Sequence, residues 1–286
     1  VTYAQYLGLD PVVTFERVLG DLRPAFVRIP VYWQRIETQK GTYDFAELDE
    51  IMERARASHM PVILAIGRKV PRWPECHTAN PYINVSPRER DDALIEFLQH
   101  VITRYKDHPS LWRWQIENEP YFSLFGECER LSSRFIDREY ALLDTPTPTQ
   151  MGASGEQSLW IRAARRADIV GTSVYRTTYT PFFGYRTYPI PPWTYRLKAA
   201  WFADNRVVVS ELQAEPWFAR DIYTYSIKEQ LALFNAATLD EHMRYVERIG
   251  MPEVSLWGVE WWYYLDAHEE PSVLDAARRW FNQSNP

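Results

Sequence analysis

Pro61-Val62-Ile63-Leu64-Ala65-Ile66-Gly67 is a short apolar run bounded by Pro and Gly, which reads as a buried strand. Downstream, Ser86-Pro87-Arg88-Glu89 combines an N-cap Ser, Pro at the first helical position and a capping Glu, and predicts a helix to about Lys106. A second strand-like run, Leu111 to Asn118, follows it. Strand, helix and strand in that order are the βαβ unit of a parallel sheet.

The same alternation extends outward in both directions. Strand-like runs also fall at Thr2 to Leu7, Ala25 to Pro30, Gln150 to Ala153, Ile169 to Tyr175, Arg206 to Glu211 and Glu253 to Trp257. Ser226-Ile227-Lys228-Glu229 opens another capped helix, predicted to reach about Ile249. Eight strands at about 36 residues per unit predict a single (β/α)8 TIM barrel spanning residues 1–286. The fifth strand, around Met151, is the shortest and is flanked by Pro146, Pro148 and Gly152. No G-x-G-x-x-G or Walker-type loop follows a strand, which removes the usual reason for a doubly wound nucleotide-binding sheet.

The 286 residues are 46% hydrophobic and 24% charged, which excludes a disordered or fibrous chain. The net charge of −6 is spread without any basic run, which argues against nucleic acid or an anionic membrane surface as partner. No apolar run approaches the roughly 18 residues of a spanning helix. The chain opens on Val1 without a leader, so a soluble or already processed chain is expected. The 12 Trp are an excess that suits either a Trp-rich core or stacking on sugar faces. The six His show no H-x-H or H-E-x-x-H spacing, so no metal is expected.

In such a barrel, chemistry sits where strands end. The strand ends are Arg28, Arg68 with Lys69, Asn118 with Glu119, Tyr175, Glu211, and Trp261 with Trp262 just beyond the eighth strand. Glu119 and Glu211 stand out, because a carboxylate closing a buried strand is costly unless it is paired or functional. Two carboxylates across one cavity are what retaining glycoside hydrolysis uses, at about 5 to 5.5 Å separation.

Trp114-Gln115-Ile116-Glu117-Asn118-Glu119-Pro120 resembles the fourth-strand Asn-Glu-Pro signature of the retaining glycoside hydrolases of clan A. Val27-Arg28-Ile29-Pro30-Val31-Tyr32-Trp33 is similar to the second strand of family 5 members. The resemblance implies Glu119 as acid/base, Asn118 on the sugar 2-hydroxyl and Glu211 as nucleophile. It further implies Arg28 and the Tyr175 hydroxyl as contacts of that nucleophile, and Trp261 or Trp262 as the sugar platform. Family 5 members carry a His on the third strand, where this chain has Arg68 and Lys69; His77 is the substitute expected from the loop. Met151-Gly152-Ala153-Ser154 presents small residues at the fifth strand, so a family 39-like or 42-like barrel is equally admitted.

Among competing carboxylates, Glu117 is expected to face the barrel wall or interior, Glu215 to line the site, Glu260 to bind sugar hydroxyls and Glu37 to lie on the surface. Trp33, Trp73, Trp217 and Trp261 follow strands and are expected as stacking platforms; Trp112, Trp160, Trp201 and Trp280 are expected in the core. The segment Arg176 to Thr194 reads as a long loop, either a cleft wall or a packed Ω-loop. Cys76 and Cys128 are either a disulfide tying two loops or two thiols. The expected function is retaining hydrolysis of a β-linked oligo- or polysaccharide by a secreted or periplasmic monomer, a reaction that requires no cofactor. Transglycosylation and a non-catalytic sugar-binding barrel are the alternatives.

Overall fold

The computed structural model describes residues 2–284 except Leu124, Phe125, Arg130 and Asn205. Two compact units divide the chain: Ala25–Ala153 with Trp160–Val170, and Val1–Pro24 with Ser154–Leu159 and Gly171–Pro286.

The first unit holds β1 (Val27–Pro30), β2 (Val62–Ile66), β3 (Leu111–Ile116) and β4 (Thr149–Ala153). They pair in parallel, with Val27 beside Val62, Leu64 beside Trp114 and Trp114 beside Thr149. Every residue of β2 is buried, as expected of a central parallel strand covered on both faces. The helix Ala46–Ala57 buries Leu48, Ile51, Met52 and Ala55, a stripe at helical spacing. The helix Pro87–Tyr105 begins where the sequence signals it, with the Ser86 hydroxyl accepting from the Glu89 N–H at 3.2 Å.

β5 (Ile169–Val174) leads into the second unit. There β8 (Val207–Gln213) and β9 (Val254–Trp257) pair in parallel, with Val209 beside Val254 and Gln213 beside Trp257. Between β5 and β8 an antiparallel hairpin joins β6 (Thr177–Thr180) to β7 (Gly184–Thr187). The order of strands in the main sheet follows the chain, β1-β2-β3-β4-β5-β8-β9. Strand and helix alternate as in a (β/α)8 fold.

Three expectations need correction. Thr2–Tyr6 is a helix rather than a first strand: Ala4 and Leu7, three apart, both bury, and Gly8 ends the turn at φ 75°. The segment after Arg176 is the β6–β7 hairpin rather than an unstructured loop. The helix predicted from Ser226 to Ile249 is two, Ile227–Leu233 and Ala236–Ile249. Phe234 is extended there, and the Asn235 side chain caps the Ala237 and Thr238 N–H groups. Among the described residues, no helix is long and apolar enough to cross a membrane.

Candidate active site

In the first unit the site is built where β3 ends. Glu117 and Glu119 both take left-handed backbone conformations, φ 56° and 48°, which cost on the order of 1–3 kcal/mol each for non-Gly residues. Cross-ties to the end of β2 hold this turn in place. The Glu117 N–H donates to the Ile66 carbonyl at 2.8 Å, and the Asn118 N–H to the Lys69 carbonyl at 2.6 Å. The Glu117 carboxylate accepts from the Arg68 and Lys69 N–H groups at 2.8 and 2.6 Å. Lys69 Nζ in turn donates to the Glu119 and Phe122 carbonyls at 3.1 and 2.7 Å.

Two glycines make room for the turn. A Cβ on Gly67 would lie 2.6 Å from Glu117 Cδ, and one on Gly152 would lie 2.8 Å from Asn118 Oδ1 and 2.9 Å from the Glu119 nitrogen. The small residue of β4 is therefore required because the strand runs directly against the Asn118–Glu119 backbone. Gly152→Ala is expected to displace that backbone and lower kcat by about 10- to 100-fold while the chain still folds. Steady-state kinetics beside a melting curve checks this, and unchanged kcat in the folded variant counts against it.

Asn118 is buried at the centre of a polar net. Its Oδ1 accepts from Arg28 at 3.0 Å and from Gln115 Nε2 at 3.3 Å, and its Nδ2 donates to Glu75 Oε2 at 3.4 Å. Behind it, Arg113 donates to Gln150 at 3.0 Å and Gln150 to Gln115 at 3.1 Å. Glu119, one residue on, is only partly buried. Glu75 was not singled out in the sequence. It sits in an irregular loop beside Cys76, and no local pattern announces that it folds onto Asn118.

His77 does not take the role expected of a third-strand His. It is buried, with one ring nitrogen 3.1 Å from Gln34 Nε2 and the other 3.0 Å from the Arg72 carbonyl, so both are committed to structure. Burial pushes it down from 6.5 to about 4, against the weaker opposing pull of the Arg72 carbonyl. A folded value below the unfolded one means that its contribution is present above about pH 6.5 and is lost as pH falls through about 4. The expected loss reaches about 3 kcal/mol, and His77→Gln is expected to remove that part of the acid destabilisation. Urea midpoints at neutral and acid pH measure it; equal acid sensitivity in both proteins excludes the assignment.

Trp33 is not a platform: it is 0% exposed, donates its indole N–H to Glu37 Oε2 at 2.6 Å and stacks on Tyr82 and Phe97. Glu37 lies in the core rather than on the surface, where it also accepts from the Tyr82 hydroxyl and the Gly41 N–H, both at 2.7 Å. Trp73 is 58% exposed on the loop after β2. Cys76 and Cys128 form a disulfide, joining the loops that follow β2 and β3.

In the second unit Glu211 lies on β8, two residues before its end, and is buried. The Tyr175 hydroxyl, just past β5, donates to Glu211 Oε2 at 2.9 Å. Trp217 packs edge-on against Tyr175 with ring centroids 5.5 Å apart. Gln213, two residues beyond Glu211, ties the start of β6 to β8: its Oε1 accepts from the Arg176 and Thr177 N–H groups at 3.0 and 2.9 Å, and its Nε2 donates to the Thr177 carbonyl at 2.8 Å. Phe182 and Phe183 at the hairpin tip are 87% and 57% exposed.

Trp261 and Trp262 are corrected as well. Both are buried in the helix Val259–Ala267, with their indole N–H groups on Gln230 Oε1 at 2.8 Å and the Ala214 carbonyl at 2.7 Å. Helix onset at Gly258 turns them into the core; Trp257, which ends β9, is the half-buried Trp of that segment. Trp201, expected in the core, is 68% exposed on the helix Trp193–Phe202. Among the described residues, no group of three or more His, Cys, Asp or Glu is placed to hold a metal ion.

The family model described as Cellulase (glycosyl hydrolase family 5) matches residues 17–129. That segment includes Arg28, Asn118 and Glu119, and ends before Tyr175 and Glu211. The β-galactosidase LacZ of Heyndrickxia coagulans is 28% identical over 121 residues, 36% of this chain and 18% of its own length. The probable mannan endo-1,4-β-mannosidase C of Aspergillus terreus is 25% identical over 100 residues, 32% of this chain and 24% of its own. The chain thus spans a quarter or less of the length of these two curated relatives. A β-galactosidase crystal structure from the psychrophilic Marinomonas ef1 superposes with TM-score 0.64 at 12% identity, covering 96% of this chain and 57% of that one. The fold is the (β/α)8 barrel, and the chain is similar to the glycoside hydrolases of clan A.

Proposed function

From a clan A-like barrel with a glutamate at the end of β3 and another on β8, we propose a retaining β-glycosidase acting on a β-linked oligo- or polysaccharide. Glu211 attacks the anomeric carbon while Glu119 protonates the departing glycosidic oxygen. The resulting glycosyl-enzyme is hydrolysed by a water from which Glu119 takes a proton, returning both carboxyls to their starting states. No cofactor enters these steps.

The observation that carries this reading is the 2.9 Å hydrogen bond from the Tyr175 hydroxyl to the buried Glu211 carboxylate. A nucleophile has to present one oxygen along a fixed line, and a phenol packed against Trp217 helps to orient the carboxylate. Asn118, gripped by Arg28, Gln115 and Glu75, is suited to meet a sugar hydroxyl beside Glu119. The named activities of the relatives, on galactosides and on mannan, support a β-linked hexose as the first substrate to try. The Cys76–Cys128 disulfide favours an oxidising compartment, outside the cytosol.

The test is reducing-sugar release from β-linked glucans, mannans, xylans and galactans, with aryl β-galactosides and β-mannosides alongside, for wild type, Glu211→Gln and Glu119→Gln. Turnover of at least one substrate, lost in Glu211→Gln, is expected. A folded protein silent across the whole panel, or one whose turnover survives both substitutions, overturns the reading.

A further inference from the structure

Two carboxyls lie against each other in the interior of the first unit. Glu117 follows β3, and Glu139 sits on the inner face of the helix Ser133–Tyr140 with Phe135 and Ile136. Both are 0% exposed, and the two carboxyls lie close enough to act directly on each other. Glu117 is well provided for, since its two oxygens take the Arg68 and Lys69 N–H groups. Glu139 is not: neither of its oxygens meets a protein donor among the described residues. A fully buried carboxylate without donors is costly, whereas a carboxylic acid that donates to a neighbouring carboxylate satisfies both groups.

The surroundings agree with that division. Burial, the Glu117 charge and Asp91 push Glu139 well above the usual carboxylate range, while Arg68 pulls the other way. Burial pushes Glu117 up as well, but less far, because the Glu139 carboxyl, the two backbone N–H groups and Arg68 all pull it down. Arg90 and Glu129 flank Arg68, and Tyr140, next to Glu139, is half-buried and held protonated. One proton for two carboxyls, resident on Glu139, fits all of these neighbours.

Resting on the reading of Glu119 as acid/base, we propose that Glu139 is a positioning residue for that step. Its acid proton is donated to Glu117 and so holds the left-handed turn that aims Glu119. The linkage is short: Glu139 to Glu117, Glu117 to the end of β2, and Glu119 two residues on in the same strained turn, with its own carbonyl on Lys69.

The experiment compares Glu139→Ala, Glu139→Gln and Glu119→Ala on two substrates of the sugar that the panel identifies. One is an oligosaccharide, whose leaving group needs a proton; the other is a dinitrophenyl β-glycoside, whose leaving group does not. For Glu139→Ala, kcat/KM on the oligosaccharide is expected to fall about tenfold or more and on the dinitrophenyl glycoside to change by less than about threefold. Glu139→Gln, which keeps a donor to Glu117, restores the oligosaccharide rate. An equal loss on both substrates, beside a split in Glu119→Ala, means a merely structural Glu139 and overturns this inference alone. Absence of the split in Glu119→Ala overturns the acid/base assignment and this inference with it.

Thermal unfolding against pH tests the proton itself without relying on Glu139→Ala to fold. The raised folded value means that wild type loses stability as pH rises through it, and Gln carries no such proton. The Tm advantage of Glu139→Gln is expected to grow by about 4 °C or more between about pH 5 and about pH 8. A difference that is constant with pH overturns the shared proton.

Discussion

Glu211→Gln is expected to lower kcat by at least about a thousandfold on every substrate, a loss of about 4 kcal/mol of barrier lowering. The amide is nearly the same size and still offers an oxygen to the Tyr175 hydroxyl, so the strand and its packing survive. What disappears is the electron pair that forms the bond to the anomeric carbon. The Tm is expected to move by only a few degrees, which separates a chemical defect from a folding one. Trapping gives a second readout: a 2-deoxy-2-fluoro glycoside with a good leaving group is expected to label the wild-type peptide containing Glu211 and to leave the variant unlabelled. A variant keeping more than about a tenth of wild-type kcat, or label found on Glu215, moves the nucleophile elsewhere.

The second large effect is expected from Glu119→Ala. Loss of a general acid slows cleavage of ordinary glycosidic bonds by about 10²- to 10⁴-fold. A dinitrophenyl glycoside departs without protonation, so the first step on that substrate is expected to be nearly normal and the second slow, because no base remains to activate water. Azide, which attacks without giving up a proton, is expected to restore turnover and to yield a β-glycosyl azide. Equal losses on all leaving groups, unaffected by azide, would mean that Glu119 binds rather than transfers protons. Because Glu119 is partly exposed at the end of a turn fixed by its neighbours, truncation at its β-carbon leaves those neighbours in place.

Both predictions concern residues that the one-dimensional pattern already marks. Pro61–Gly67 and Leu111–Asn118 read as strands because a strand buried on both faces is an unbroken apolar run, and both occur as β2 and β3. Ser86-Pro87 reads as a helix start because its groups satisfy the first free N–H donors locally. Glu119 and Glu211 stood out as charges at the ends of such runs. Each of these signals is a relation between residues close in the chain.

The misreadings share a cause. Trp33, Trp261 and Trp262 follow strands just as Trp73 and Trp217 do, yet they are sealed by Tyr82, Gln230 and Ala214, partners distant in sequence. Thr2–Leu7 has the composition of a strand but turns as a helix because Ala4 and Leu7 find a core on one side only.

The sequence by itself therefore determined the seven parallel strands of the main sheet, the helix starts at Ser86 and Ser226, and the two carboxylates Glu119 and Glu211, because periodicity and capping act over a few residues. Tertiary structure alone decided which indoles are buried, that Glu75 reaches Asn118, that Gly152 must be bare beneath the Asn118–Glu119 turn, and that Glu139 meets Glu117 in the dark of the core. Those outcomes depend on desolvation and on contacts between elements tens of residues apart, and no local pattern encodes them.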